Sequence, residues 1–339
     1  MTVGVGVIGA GVMGADHARF LATSVAGAAL VAVSDPDATR RNAVADAWGV
    51  AVRHAEAEAL IADDNVEAVV IASPDPTHKA YTLAALAAGK PVLCEKPLAT
   101  SVADCLDIVA HETAIGRRMI QVGFMRRFDP GYAAMKQALA DDRLGAALML
   151  HCIHRNMQAA PYTTSEGLNA NSAVHEIDIA RWLLGDEVSR ALVVTPRASG
   201  LAAIRDPQIL ILTMTGGAVI DAEIFVNAQY GYDVRAELVC ERGTVSLLPP
   251  SATLIREERR EGILHGPDWR GRFADAYRIE LQAWIDSLRS GKPAVHGASA
   301  YDGYAATAIA EAALKSLGSG LPVDVRLEPR PPLYGTGSG

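Results

Sequence analysis

Val3-Gly4-Val5-Gly6-Val7-Ile8-Gly9-Ala10-Gly11-Val12-Met13-Gly14 opens the chain with a short apolar run that breaks into Gly-x-Gly-x-x-Gly. Alone, that glycine spacing is a weak signal. Here the run Val3–Ile8 reads as a strand and Ala10–Thr23 as a helix. Asp35 stands 21 residues past Gly14, at the end of the next β-rich run, Ala29–Ser34. Strand, glycines, helix and acidic residue together make the full context of a dinucleotide-binding unit. Gly9 permits the tight turn, Gly11 lets a pyrophosphate approach the backbone, and Gly14 lets the helix pack close to its strand. The helix start at Val12 and Met13 offers N–H groups and a positive dipole end to the phosphates. The Asp35 carboxylate accepts hydrogen bonds from ribose hydroxyls and repels a 2′-phosphate, which favours NAD over NADP. Arg40 and Arg41 are read as a solvated helix face.

The rhythm continues outward from this unit. Arg40–Trp48 is helical, Glu67–Ala72 a buried strand, His78–Ala88 a helix and Pro91–Cys94 a strand. Val102–Ile115 is a helix and Met119–Val122 a further strand. Short apolar strands separated by helices predict a doubly wound parallel sheet covered on both faces, a Rossmann domain over residues 1–123. After Gly123 the pattern changes. Helices are expected at Gly131–Ala140, His175–Leu184, Phe273–Ser290 and Tyr301–Ser316. Strands are expected at Ala147–His154, Ala191–Thr195, Gln208–Met214, Ala218–Asn227, Arg235–Cys240, Thr244–Leu247 and Thr253–Arg256. Thr215-Gly216-Gly217 and Glu241-Arg242-Gly243 suit hairpin turns. This predicts a second, α+β domain over residues 124–327 with a large, mostly antiparallel open sheet. The Pro- and Gly-rich end, 328–339, reads as a flexible tail. Overall the fold class is α/β.

Composition bounds the function. The chain has 339 residues, half of them apolar, and a net charge of −8 without a basic stripe. Nucleic acid and anionic membrane surfaces are therefore unfavoured partners. No apolar stretch reaches the ~18–20 residues of a span. No basic leader precedes the first strand, and Cys94, Cys105, Cys152 and Cys240 form no CxxC pair. Both features fit a reduced, cytoplasmic protein.

Val92-Leu93-Cys94-Glu95-Lys96-Pro97-Leu98-Ala99 is more specific. Glu-Lys-Pro at the end of the fifth strand of a nucleotide-binding domain resembles the Gfo/Idh/MocA oxidoreductase family. The resemblance is strongest toward its inositol 2-dehydrogenase branch. Val122-Gly123-Phe124-Met125-Arg126-Arg127-Phe128-Asp129, His154-Arg155-Asn156, Tyr162-Thr163-Thr164 and His175-Glu176-Ile177-Asp178 carry it further. So do Gln229-Tyr230-Gly231-Tyr232-Asp233, Arg272-Phe273 and Ala276-Tyr277. It extends from Val5 to about Leu317. It implies that Lys96 stands where nicotinamide and substrate meet and that His175 is a second catalytic residue. Ser73, Glu95 and Lys96 would line the coenzyme side of the crevice at the strand ends. His78 is either a cofactor-side residue or an ordinary helix-start histidine. A desolvated Lys beside a cationic ring gives up its proton readily, which suits acid–base work. The Lys96–Pro97 bond is expected to be cis.

Arg126, His154, Asn156, Asp178, Tyr232 and Tyr277 would line a pocket for a polyhydroxylated ring. One departure stands out. The family carries Asp four residues before the catalytic His, and this chain has Asn171 there. Asn orients an imidazole but stabilises an imidazolium less. His151 and His154, three apart on a strand, face opposite sides, so no shared metal is expected. Trp269, in the loop Gly266–Arg272, is placed to close over a substrate. The implied function is NAD-dependent oxidation of a secondary ring alcohol of a cyclitol, foremost myo-inositol to 2-keto-myo-inositol, by a homo-oligomer, a tetramer by resemblance. Two alternatives stay open. One is a dehydrogenase for another polyol (scyllo-inositol, an aminocyclitol or an aldopyranose). The other is a non-catalytic NAD-binding regulator.

Overall fold

Runs of three to seven mostly apolar residues alternate with helices through the first third of the chain, and they build one parallel sheet. Its strands are β1 (Val3–Ile8), β2 (Ala28–Ser34), β3 (Val52–His54), β4 (Ala68–Ile71), β5 (Val92–Glu95) and β6 (Ile120–Gly123). Their order is β3-β2-β1-β4-β5-β6, with every pair parallel. The connecting helices are α1 (Val12–Thr23), α2 (Ala38–Trp48), α3 (Ala57–Ala62), α4 (His78–Ala87) and α5 (Val102–Ile115). Val5, Val7, Val69, Val70, Ile71, Val92 and Leu93 are all fully buried. That is the signature of a sheet covered on both faces. The strand order reverses between β1 and β4, so the crevice at their carboxyl ends is where such a sheet takes a ligand.

This computed structural model describes residues 2–201, 203–248 and 254–335. They form two units. The first runs to Met125 and includes Tyr277–Thr307 and the stretch from Glu328. The second comprises Arg126–Ala276 and Ala308–Leu327. Two stretches counted from sequence with the second domain and the tail thus make their contacts within the first unit. The supposedly flexible tail is fastened as far as it is described. Tyr334 is buried and its hydroxyl donates to Glu112 Oε2 at 2.6 Å, while the Glu328 N–H donates to the Tyr304 hydroxyl at 2.8 Å. One aromatic anchor outweighs the Pro/Gly composition around it. Residues 336–339 lie outside the described residues.

The second unit contains α6 (Pro130–Ala140), β7 (Ala147–Arg155), α7 (Val174–Leu184), β8 (Val188–Val194), β9 (Gln208–Met214), β10 (Val219–Phe225), β11 (Asp233–Cys240) and β12 (Gly243–Ser246). A small hairpin, β13 (Ile255–Glu257) and β14 (Arg260–Gly262), precedes α8 (Trp269–Ser290). Helix α9 (Ala300–Ser319) and β15 (Val323–Asp324) follow; α8 from Tyr277 on and α9 as far as Thr307 count with the first unit. The main sheet runs β12-β11-β7-β10-β9-β8-β15, antiparallel except for the β7–β10 pair. On β9 the inward residues Gln208, Leu210, Leu212 and Met214 alternate with half-exposed Ile209, Ile211 and Thr213. That period of two is the strand's own, each second side chain turning to the same face. Helix α7 is buried almost throughout, from Val174 to Arg181.

Short elements escaped the sequence reading. β3 and α3 are only three and six residues long. β13 starts at Ile255, and Thr253, included in the expected strand, lies outside the described residues. Trp269 is the first residue of α8 rather than part of a loop. Asp268 accepts the Arg270 N–H at 3.0 Å there, a helix-start signal visible in sequence. All four cysteines are free and buried. Among the described residues no helix is long and apolar enough to cross a membrane.

Candidate active site

In the first unit the glycines do what their spacing demands. Gly9 has φ +94°, and a Cβ there would meet the Ala72 carbonyl oxygen at 2.5 Å. A Cβ on Gly14 would sit 1.7 Å from the Gly9 carbonyl oxygen, so only glycine lets α1 start this close to β1. Gly11 has nothing within 4 Å of where a Cβ would be, which leaves the approach to the helix N-terminus open. Val12 is exposed there and Met13 is half-buried. The Asp35 carboxylate accepts the Ala10 N–H on one oxygen and the Asp37 N–H on the other, both at 2.8 Å. It is thereby fixed beside the glycine turn. Arg41, taken from sequence as solvated, donates to the Asp35 carbonyl at 2.5 Å. Exposed Arg40 lies 3.8 Å from the Asp35 carboxylate. An open N-terminus with a pinned acidic residue beside it fits a dinucleotide's pyrophosphate and ribose.

The Glu-Lys-Pro turn closes β5. Lys96 is half-buried and its bond to Pro97 is cis, as anticipated. Glu95 is buried; one oxygen bonds His17 Nε2 at 2.7 Å, the other accepts the Lys96 N–H at 3.2 Å. Burial works to raise the Glu95 carboxyl, yet the His17 hydrogen bond and charge, with Lys96 close by, hold it below the usual carboxylate range. Ser73 ends the turn after β4, its hydroxyl 2.6 Å from that of Thr77. His78 opens α4, fully buried. Its Nδ1 lies 2.7 Å from the Pro97 carbonyl oxygen and its Nε2 2.9 Å from that of Ser73. This corrects the cofactor-side alternative for His78, because no ring nitrogen is left for a ligand.

The second unit gathers most of the residues assigned to a polyol. Arg126 is fully buried. It forms an ion pair with Glu176 and reaches His154 Nδ1 at 3.2 Å. Glu176 Oε2 lies 3.2 Å from the same ring nitrogen. Burial alone would raise the Glu176 carboxyl; Arg126 and His154 hold it down to about 2. The ring of Tyr232 packs edge-on against His154 at 5.9 Å, and the ring of His175 lies 6.4 Å from it. Burial pushes the Tyr232 phenol up to about 12, so it remains a donor. Asn156 Oδ1 is buried without a hydrogen-bond partner, an acceptor available to a hydroxyl.

Three further assigned residues are placed as follows. Asp178, assigned to substrate hydroxyls, is a buried carboxylate with both oxygens on Arg127, at 2.8 and 2.5 Å. Tyr277 falls in the first unit, its ring edge-on to His17 at 5.9 Å. Asn171 is exposed in the wide turn Leu168–Ser172 that precedes α7. His151 pairs with Asp221 at 2.6 Å on the half-exposed side of β7, while His154 is buried, so the two do face apart.

Comparison with known proteins closes the question of kinship. Residues 3–124 match the NAD-binding Rossmann fold of the Gfo/Idh/MocA oxidoreductase family, and residues 132–246 match its C-terminal domain. The chain belongs to the Gfo/Idh/MocA oxidoreductase family. It is 54% identical to inositol 2-dehydrogenase 1 of Saccharopolyspora erythraea, over 99% of this chain and all of that one. It is 43% identical to an inositol 2-dehydrogenase of Klebsiella pneumoniae, over 98% of this chain and 99% of that one. A myo-inositol dehydrogenase from Lactobacillus casei, solved in complex with NAD(H) and myo-inositol, superposes with TM-score 0.94 at 34% identity. That match covers 98% of this chain and 100% of the other.

Within this Gfo/Idh/MocA chain, sequence reasoning missed Glu176, Arg127 and His17. A signal for the first two existed. Arg126-Arg127 and Glu176-x-Asp178 are opposite charges inside otherwise apolar stretches, and buried charges require partners. Nothing local pointed to His17, whose partner is 78 residues away.

Proposed function

We propose that this chain oxidises a secondary ring alcohol of a cyclitol, foremost myo-inositol, to the ketone, with NAD as acceptor. The observation that carries the reading is the 54% identity, over 99% of the chain, to an inositol 2-dehydrogenase. The second-unit cluster supports it. Arg126, His154, Asn156 and Tyr232 present donors and an unpartnered acceptor suited to several hydroxyls rather than to a charged or apolar ligand. Bound at Gly9–Gly14 and Asp35, NAD would supply a hydride acceptor. In this reading Lys96 and His175 handle the hydroxyl proton, and Arg126, His154, Asn156 and Tyr232 bind the remaining hydroxyls. Half-exposed apolar residues on the outer sheet face, such as Ile209, Ile211 and Phe225, support assembly into a homotetramer through that face. The cytoplasm is the proposed compartment.

The test is NADH formation at 340 nm with myo-inositol, scyllo-inositol, amino-inositols and aldopyranoses. Myo-inositol should give the highest kcat/KM. NAD binding without turnover of any polyol would overturn the reading.

A second reading, a different polyol, is favoured by one residue. Asn171 stands four residues before His175, where the family pattern has Asp. In that family pattern, Asn171→Asp would set a carboxylate against the imidazole and stabilise its protonated form. The acid limb of the pH–rate profile should move up by about one unit. An unmoved profile would show that this position carries no charge function.

A further inference from the structure

Two buried histidines hold the residues that flank Lys96 in the chain. On one side, His17 on α1 holds the Glu95 carboxylate at 2.7 Å, and the other oxygen of that carboxylate accepts the Lys96 N–H at 3.2 Å. On the other side, His78 at the start of α4 meets the carbonyl of Pro97 at 2.7 Å and that of Ser73 at 2.9 Å. A carbonyl oxygen only accepts, so both His78 nitrogens must carry hydrogen for both contacts to be attractive. We propose that His17 and His78 are positioning residues for Lys96, fixing the residue before it and the residue after it so that its side chain leaves the turn in one direction. The inference rests on the reading that Lys96 moves the substrate proton.

The geometry argues for more than packing. Both rings are essentially unexposed, at 0% and 1%. A buried imidazole costs desolvation that an apolar residue of similar volume avoids. Each ring instead directs polar atoms at a residue adjoining Lys96. The protonated state of His78 is also favoured. Burial lowers its pKa, but the neighbouring Cys94 and the two carbonyls outweigh that and push it up to about 10. The two links come from different elements. His17 ties the turn to α1, whose N-terminus follows the glycine turn, and His78 ties it to the turn after β4. With Glu95 and Pro97 both held, the backbone of Lys96 is fixed from both sides. Misplacing a reacting group by about 1 Å costs on the order of 10²-fold in rate.

The experiment compares His17→Leu, His17→Gln, His78→Leu and His78→Gln in the full-length enzyme, with Lys96→Met as control. Readouts are kcat, KM for myo-inositol, NAD affinity by fluorescence titration, the isotope effect with inositol deuterated at the reacting carbon, and Tm. The leucine variants should lose about 10–100-fold in kcat. NAD affinity should stay within about threefold, and the isotope effect should be undiminished. Glutamine keeps an N–H donor and should recover at least a third of the lost log rate. Wild-type kcat in the leucine variants, or glutamine variants as slow as the leucine ones, would overturn the proposal. If the leucine variants do not fold, Glu95→Gln reads the same link. Its kcat should fall at least tenfold, and an unchanged kcat overturns the proposal. If Lys96→Met turns over normally, the reading of Lys96 itself fails; if Lys96→Met is inactive while the histidine variants match wild type, only this inference fails.

Discussion

Lys96→Met is expected to bind NAD as tightly as the parent chain and to lose about 10²–10⁴-fold in kcat, the range in which a positioned acid–base group contributes. Methionine keeps the length and apolar stem of lysine and removes only the ammonium. In the proposed coenzyme cradle, Gly9, Gly11 and Gly14 shape the turn, and Asp35 is held by the Ala10 and Asp37 N–H groups. Nothing in that set depends on the Lys96 side chain. The separation of effects is therefore the diagnostic. Fluorescence titration should report unchanged NAD affinity while the 340 nm assay reports lost turnover. Turnover within threefold of the parent would remove Lys96 from the chemistry, whatever the substrate.

Glu176→Leu should be the most destabilising single substitution in the second unit's polar cluster. Glu176 is fully buried between Arg126 and His154. Removing one partner of a buried pair leaves the other charge without compensation, a loss of about 3–5 kcal/mol. Arg126→Met in the same chain removes the stranded charge and should restore part of that loss. The pH dependence carries a definite sign. The Glu176 carboxyl is held down to about 2 in the folded chain, below its ordinary value of 4.5. Its contribution is fully present above pH 4.5 and is lost as the pH falls toward 2. Urea unfolding of the parent and of Glu176→Gln should therefore differ most near neutrality and converge between those two pH values. A constant difference across that window would mean that the carboxylate charge does not stabilise the fold.

The fold was legible wherever the signal was local and repeated. The Gly9–Gly14 spacing, Asp35 and the short apolar strands led to the parallel sheet. The long β-like segments, Gln208–Met214 among them, and the turns between them led to the second sheet. Elements of two, three or six residues, β15, β3 and α3, carry too few periods to be read. The candidate site was legible as a set of residues but not as a set of bonds. A resemblance points to Arg126 and His154, but nothing in it points to Glu176, which ties them together. The sequence allows His78 two roles, and the carbonyls of Ser73 and Pro97 at its two nitrogens are visible only in the structure.

Glycine spacing, strand period and the Glu-Lys-Pro turn by themselves determined the Rossmann architecture, the preference for NAD and the family. Each depends on backbone freedom or side-chain repetition among near neighbours in the chain. Only the tertiary structure decided that Glu176 neutralises Arg126, 50 residues away, that Asp178 holds Arg127 across 51, and that His17 stands on Glu95 across 78. A buried charge takes whichever partner the packing of distant elements delivers, and no spacing along the chain encodes that choice.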